Sequence, residues 1–307
     1  MTITRRLPNS NLTRQNALNK ANNTNAVEPG TLTPTTIGRL GSMNTNFNNG
    51  LTAWANAKSG QTTNTPTKDA QVEGTRMFVS HFIQVFNLGV KRNKYPAGNR
   101  SFYQLDVSSE AVPNLDKEED VISWANRLVA GDPNRVAAGG APMENPNISE
   151  VQSILISANT FIAQQVSFAN ILDAAEEAVD VLNIEADKVI KKVWDEVETF
   201  YNEESPESMR ENARRWGVVY MTEGPPATLV GFVKNSGGGV EVGRVVTLED
   251  SGATATTDGT GRYQIDTKLT GDVTLRVHGE EDAAGRVVVN IPEHEGAVTI
   301  NVADILW

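Results

Sequence analysis

Two spacings divide the chain. Between Thr33 and Trp216 apolar residues recur at three- and four-residue multiples, and from Gly217 onward they alternate every second residue. In the first region Thr33-Pro34 places a capping hydroxyl before a proline at the first helical position, and Ile37, Leu40, Phe47, Leu51 and Trp54 outline one face of the helix that follows. Gly60 is its predicted terminator. Thr65-Pro66 repeats the start signal and predicts a second helix over 66–91, with Val72, Phe78, Val79, Phe82, Ile83 and Phe86 buried on several sides. A loop over 92–115 containing Pro96, Gly98 and Pro113 leads to a helix from Asp116 with Val121, Trp124, Ala125 and Leu128 on one side. The longest helix spans 149–182, about 34 residues or roughly 50 Å. Asn183 is a predicted break, after which Ile184, Val189, Ile190, Val193, Trp194 and Val197 continue the pattern to about 202. Ser205-Pro206 starts a last short helix ending near Arg215-Trp216-Gly217.

After Gly217 the segment Gly217-Val218-Val219-Tyr220 is extended, and Gly224-Pro225-Pro226 is a stiff connector. Seven short strands follow, over 228–234, 242–249, 252–257, 261–266, 271–278, 284–291 and 296–302, with Gly, Asp and Asn at the turns. Short strands at this spacing with no helix between them predict an antiparallel β-sandwich of about 80 residues. The expected fold class is therefore α+β and multidomain. It comprises an N-terminal extended arm (1–32), a long antiparallel α-helical bundle (33–216), a linker (217–226) and the sandwich (227–307).

Charge changes the reading of the arm. The chain of 307 residues has formal net charge -11, with 38 acidic and 27 basic residues. Residues 1–32 invert that balance, with Arg5, Arg6, Arg14 and Lys20 against Glu28 alone. The arm is also rich in asparagine. A helix over 11–22, capped by Ser10, has only Leu12 and Leu18 as sizeable apolar contacts and does not stand alone in water. Such an arm is disordered or held by a surface, on its own body or on a neighbour. Residues 144–216, by contrast, hold 15 acids and 6 bases. Glu176, Glu177, Asp180, Glu185, Asp187, Asp195, Glu196 and Glu198 form this acidic face.

The strand region carries a resemblance. Gly231-Phe232-Val233, Val245-Val246-Thr247-Leu248, the turn Thr256-Thr257-Asp258-Gly259-Thr260-Gly261-Arg262-Tyr263, and Gly271-Asp272-Val273-Thr274-Leu275-Arg276-Val277 resemble the carboxypeptidase regulatory-like domain. That domain is a transthyretin-like immunoglobulin-type sandwich found beside many unrelated bacterial modules. The resemblance covers about a quarter of the chain and implies a folding unit with an adhesive or spacer role, and no activity. The helical region, with Arg127-Leu128-Val129 before Gly131-Asp132-Pro133-Asn134-Arg135 and Arg214-Arg215-Trp216-Gly217 at its end, resembles uncharacterised bacterial proteins that join a helical bundle to such a sandwich.

Candidate chemistry is sparse. Cysteine is absent, which removes disulfides, thiolate zinc sites and cysteine nucleophiles. The three histidines are His81 within an apolar helix, read as a hydrogen-bonded core residue, His278 at a strand end, and His294 within Glu293-His294-Glu295. Three consecutive residues on a turn seldom converge on one ion, and no Glu-x-x-His pair lies on the helices. Gly237-Gly238-Gly239-Val240-Glu241-Val242-Gly243 imitates a phosphate loop, yet a strand follows it where a phosphate site needs a helix N-terminus. No residue is assigned to catalysis, to a cofactor or to a metal. An acidic body opposes nucleic-acid binding. The richest apolar stretch, Met77 to Val90, is too short and too interrupted to span a bilayer. Without a signal peptide the expected location is cytoplasmic, with leaderless export open.

These readings point to a non-enzymatic structural protein whose partner is itself, a homo-oligomer built as a filament, tube or shell. Arg5, Arg6 and Arg14 of one subunit are expected to meet carboxylates such as Glu176, Glu177 and Asp180 of a neighbour. The alternative is a module that presents the sandwich to a glycan or a protein, with Tyr220, Tyr263 or Trp307 as a stacking surface.

Overall fold

The computed structural model describes residues 2–277 and 285–306. The expected α+β architecture is present, with five α-helices and a largely antiparallel β-region among the described residues. The helices are α1 (Asn11–Val27), α2 (Pro34–Lys91), α3 (Glu118–Ala137), α4 (Ile148–Phe200) and α5 (Pro206–Arg215), and a 3-10 segment, Ala97–Tyr103, lies between α2 and α3. Ten strands occur among the described residues. They are β1 (Ile3–Arg5), β2 (Tyr220–Thr222), β3 (Ala227–Lys234), β4 (Val245–Leu248), β5 (Ala253–Thr256), β6 (Arg262–Thr267), β7 (Leu269–Val277), β8 (Arg286–Ile291), β9 (Val298–Asn301) and β10 (Ile305–Leu306). Each of the seven anticipated strands is there, β3 to β9, shifted by at most three residues at an end.

The helices depart from expectation in continuity. α2 is one helix of 58 residues with Pro66 inside it, and α4 is one helix of 53 residues that runs through Asn183. Gly60 does not end α2. A Cβ there would lie 3.1 Å from the ring of Phe168 on α4, so the missing side chain lets the two helices approach closely. Asn64, two residues before Pro66, is buried and donates its amide to Phe161 O at 3.2 Å and to Gln165 Oε1 at 2.8 Å. Packing against α4 thus overrides two breakers that would act in an isolated helix. Past Asn183, Ala186, Val189 and Ile190 are buried and hold the helix in register.

Two compact units result, residues 53–176 and residues 1–52 together with 177–307. α2 and α4 contribute to both. In the first unit Val79, Phe82, Ile83 and Phe86 of α2 pack with Tyr95, Tyr103, Val121, Ala125, Leu128, Val151 and Leu155. The second unit contains two cores. One joins Ala17, Leu18 and Ala21 of α1 to Leu40, Phe47, Val193, Trp194, Val197 and Trp216. The other lies between the sheets and includes Leu229, Val246, Leu248, Tyr263, Ile265, Leu275 and Ile291.

The larger sheet has the order β1-β2-β7-β4-β5 with β8 also on β7, and the smaller sets β6, β9 and β10 on β3. β9 and β10 run parallel to β3, so the sandwich is not wholly antiparallel. The first sheet contains the N-terminal arm itself: β1 pairs antiparallel with β2, Ile3 opposite Thr222 and Arg5 opposite Tyr220. Of the two fates open to the arm, order and disorder, this fold shows order, with the arm on its own chain.

Candidate functional site

The arm meets its own body through charge. Ser10 caps α1 in a reciprocal box with Thr13, which starts the helix where the sequence places it. Arg14 then projects toward α4 and donates Nε to Asp187 Oδ1 at 2.8 Å and Nη2 to Oδ2 at 2.9 Å, a bidentate pair. Arg5 Nη1 lies 2.8 Å from Asp195 Oδ1 and 3.5 Å from Glu198 Oε2. The other oxygen of Glu198 accepts the hydroxyl of Tyr220 at 2.6 Å. Burial, reinforced by that carboxylate, pushes the Tyr220 hydroxyl above its ordinary pKa, so it remains a donor across the physiological range. Arg6 donates to Ser251 O at 3.4 Å. Lys20 donates to Asp250 Oδ1 at 2.8 Å, and the second oxygen of Asp250 accepts the Thr274 amide at 3.0 Å.

Glu176, Glu177 and Asp180 are exposed and do not receive the arm within the chain. Glu176 accepts from Trp54 Nε1 at 3.3 Å. The carboxylates that do receive it, Asp187, Asp195 and Glu198, lie about two to six turns further along the same acidic helix. Sequence spacing identifies the acidic face and not the stretch of it beneath the arm, because the placement of α1 is set by Leu18 and Ala21 in the core.

A cleft of about 780 Å³ opens in this same unit between α5 and the outer face of β7 and β8. Its floor is fixed by a second charged clasp. Glu293 accepts Arg210 Nε at 2.8 Å and Arg210 Nη2 at 2.7 Å, and Arg214 Nη2 reaches Thr270 Oγ1 at 2.9 Å and Glu293 at 3.4 Å. Gly271, with φ +87°, makes room for the Arg214 guanidinium, which a Cβ would strike. Glu207, Glu211, Asp272, Thr274 and Asn290 line the walls, and Asn290 donates to Asp272 at 2.7 Å. No local sequence pattern marks this cleft, since it assembles from residues about 80 positions apart.

The Arg210 hydrogen bonds hold the Glu293 carboxyl below its ordinary range, against a smaller opposing effect of burial. A depressed carboxylate contributes stability in full above its unfolded pKa, about 4.3, and loses it as pH falls through the folded value. Acidification below about pH 4.3 is therefore expected to loosen α5 from the sheet. Glu293→Gln should remove part of this pH dependence, read as a shallower acid limb in Trp fluorescence; superimposable titrations of the two proteins would refute it.

In the unit of residues 53–176 the chemistry is buried and internally satisfied. Arg135 donates Nη2 to Asp132 Oδ1 at 2.9 Å and Nε to Tyr103 Oη at 2.6 Å, and Tyr103 donates to the same carboxylate oxygen at 2.6 Å. Arg100, also buried, donates to Asp106 O at 2.6 Å and to Asn87 Oδ1.

The remaining candidates are structural or lie elsewhere. His81 is exposed, a correction of its expected place in the core, because α2 turns Val79, Phe82, Ile83 and Phe86 inward and leaves position 81 on the opposite side. His294 Nδ1 lies 2.7 Å from Gly296 O. His278 and Trp307 fall outside the described residues. Tyr220 and Tyr263 are buried, which removes them as stacking surfaces. Asp258 Oδ1 accepts from Thr260 N at 2.8 Å and Arg262 N at 3.1 Å and closes a turn. Asn235 Oδ1 accepts from the amides of Gly237 and Gly239, so the glycine run is a loop tied to its own strand. Among the described residues no cluster of three or more metal-ligating side chains occurs, and no helix is long and apolar enough to cross a membrane.

No protein-family model matches the chain, and no curated protein matches it. Among solved structures, it is similar to one described as the Caf1A usher C-terminal domain, at 19% identity and a TM-score of 0.19, over 25% of this chain and 96% of that one.

Proposed function

We propose that this chain is a non-enzymatic structural protein that self-assembles into a homo-oligomeric filament, tube or shell through its helical region, with the β-sandwich as an outer or linking module. The observation that carries the reading is a helix surface without charge. Residues 151–172 of α4 contain no Asp, Glu, Lys, Arg or His, in a chain of which 21% is charged. Along that stretch Ile156, Thr160, Ala163, Ser167 and Asn170 repeat at spacings of four and three and are all exposed. Val166 and Ile171 stand beside them, 58% and 51% exposed. A solvated helix in an acidic protein carries charges on its outer face, whereas a helix covered by another does not. The spacing is the one that lets two helices interlock along about 22 Å. The resemblance of the β-region to carboxypeptidase regulatory-like domains supports a spacer role for that part.

Ile156→Glu with Ile171→Glu is the direct test. Each central interface residue is worth about 2 kcal/mol, roughly 30-fold in affinity. Particles seen by light scattering and negative-stain microscopy should fall to monomers of 33.2 kDa with unchanged helical circular dichroism. Particles of unchanged size would refute the reading. Added salt should strengthen the association, since it screens repulsion between bodies of charge -11 without weakening an uncharged contact.

A second reading rests on the cleft beside α5. Its mixture of Glu207, Glu211, Asp272, Thr274 and Asn290 suits hydroxyl-rich or amine-bearing ligands, as a glycan- or protein-binding module requires. A glycan array probed with the full chain separates it from the first.

A further inference from the structure

We infer that in the assembled state residues 2–6 of one copy form β1 on the β2 strand of a neighbouring copy, so that identical chains exchange their N-terminal strands. The inference rests on the self-assembly reading above and supplies the contact that locks neighbours together.

The arm has two parts with different attachments. α1 is anchored by Leu18, Ala17 and Ala21, all buried in the core with Trp194 and Trp216, and it stays with its own body. β1 is held only at an edge. It pairs through Ile3, Thr4 and Arg5 with Thr222, Met221 and Tyr220, flanked by Arg6 N to Val219 O at 2.8 Å and Glu223 N to Thr2 O at 3.2 Å. Arg5 adds its ion pairs with Asp195 and Glu198. When the strand leaves, it exposes an acceptor that any copy of the same segment fits, namely the β2 edge beside two carboxylates. The ladder hydrogen bonds and the Arg5 ion pairs that break within the chain re-form between chains, so the exchange itself has no net electrostatic or hydrogen-bonding penalty.

The connector between β1 and α1 is short and partly exposed. Leu7 is half exposed, although apolar, and Pro8 biases it toward extended backbone. Beneath Leu7, Pro8 and Asn9 lies a cavity of about 10 Å³, room for about one water. Four residues, Leu7 to Ser10, reach at most about 14 Å. Exchange is therefore confined to copies already side by side. In dilute solution the arm's own acceptor, at an effective concentration near the millimolar range, keeps it at home.

The cysteine-free chain permits a clean test. Thr4 and Met221 are opposite one another in the register and neither is buried. Chains carrying Thr4→Cys with an affinity tag are mixed with untagged Met221→Cys chains, allowed to assemble, and treated with a short bis-maleimide. A product containing one chain of each kind, at twice 33.2 kDa on a denaturing gel, is expected from assembled material and only at trace level from dilute monomer. The Thr4→Cys/Met221→Cys double variant, cross-linked as dilute monomer, should give the intramolecular product and so shows that the pair is in reach and the fold intact. Particles by light scattering without the mixed product would overturn strand exchange and leave self-assembly standing. Monomers at every concentration would overturn both.

Discussion

Arg135→Met should cost about 3–5 kcal/mol and unfold the unit of residues 53–176 well before the rest of the chain. Arg135 is fully buried, and among its partners Asp132 retains only the Tyr103 hydroxyl once the guanidinium is gone. Asp132, 3% exposed, would keep a charge with no counter-ion in a medium that solvates it poorly. Tyr103 Oη would be left without its donor, Ala141 O without the Nη1 hydrogen bond of 2.9 Å, and the Tyr95 ring without a guanidinium whose centre sits 5.0 Å from its centroid. Burial and the Asp132 carboxylate push the Tyr103 hydroxyl well above its ordinary pKa, so the phenol remains a neutral donor to Asp132. The loss is large against the 5–15 kcal/mol that holds an ordinary domain together. The pair as a whole is worth much less than either half. Asp132→Leu with Arg135→Met removes both charges, and it should be at least about 1.5 kcal/mol more stable than the single variant. Urea unfolding followed by near-ultraviolet circular dichroism reads both numbers. A single variant within about 1 kcal/mol of the parent would show that Asp132 finds water on its own.

Trp216→Ala is the second large effect, at about 3–5 kcal/mol. Trp216 has no exposed surface, and it joins Ala213 of α5 to Leu18 and Ala21 of α1 in one cluster. α1 has few apolar residues of its own and depends on that cluster for its order. The substitution should therefore strip hydrogen-exchange protection from residues 11–27 while the sandwich core around Leu229, Tyr263 and Leu275 keeps its own. Equal loss of protection in both regions would mean that the arm and the sandwich unfold as one unit. Retained protection at 11–27 would mean that the ion pairs of Arg14 and Lys20 hold the arm without Trp216.

Much of the β-region was legible because its signals are local. Alternation fixes which side chains of β3, β6 and β7 face inward, and Asp258 and Gly261 specify their turn within five residues. Helix starts were legible for the same reason: Ser10, Thr33-Pro34 and Ser205-Pro206 all begin helices where their hydroxyls and prolines place them. The helix ends were less so. Gly60, Pro66 and Asn183 are breakers by propensity, yet α2 and α4 continue through them because each helix supplies the other with a continuous packing surface. The candidate site was half legible. The basic arm and the acidic helix were apparent from charge, but the specific acceptors Asp187, Asp195 and Glu198, the Arg210 to Glu293 clasp and the buried Arg135 were not, since each pairing depends on where a core delivers its partners.

The sequence by itself determined the succession of a helical region and a strand region, the strands β3 to β9, the turn residues, the inversion of charge between arm and body, and the absence of cysteine chemistry. Tertiary structure alone decided that the arm lies on its own chain as the edge strand of the sandwich sheet, and that residues 1–52 fold with residues 177–307. It also decided which acidic residues are paired and which helix face is left uncharged and exposed. The physical reason is range. Capping, turn and periodicity energies act over a few residues and are written in the sequence next to where they act. Burial and charge pairing link positions from 83 residues apart, as in Arg210 and Glu293, to 230 apart, as in Lys20 and Asp250, and their sign depends on a geometry that exists only after the cores have closed.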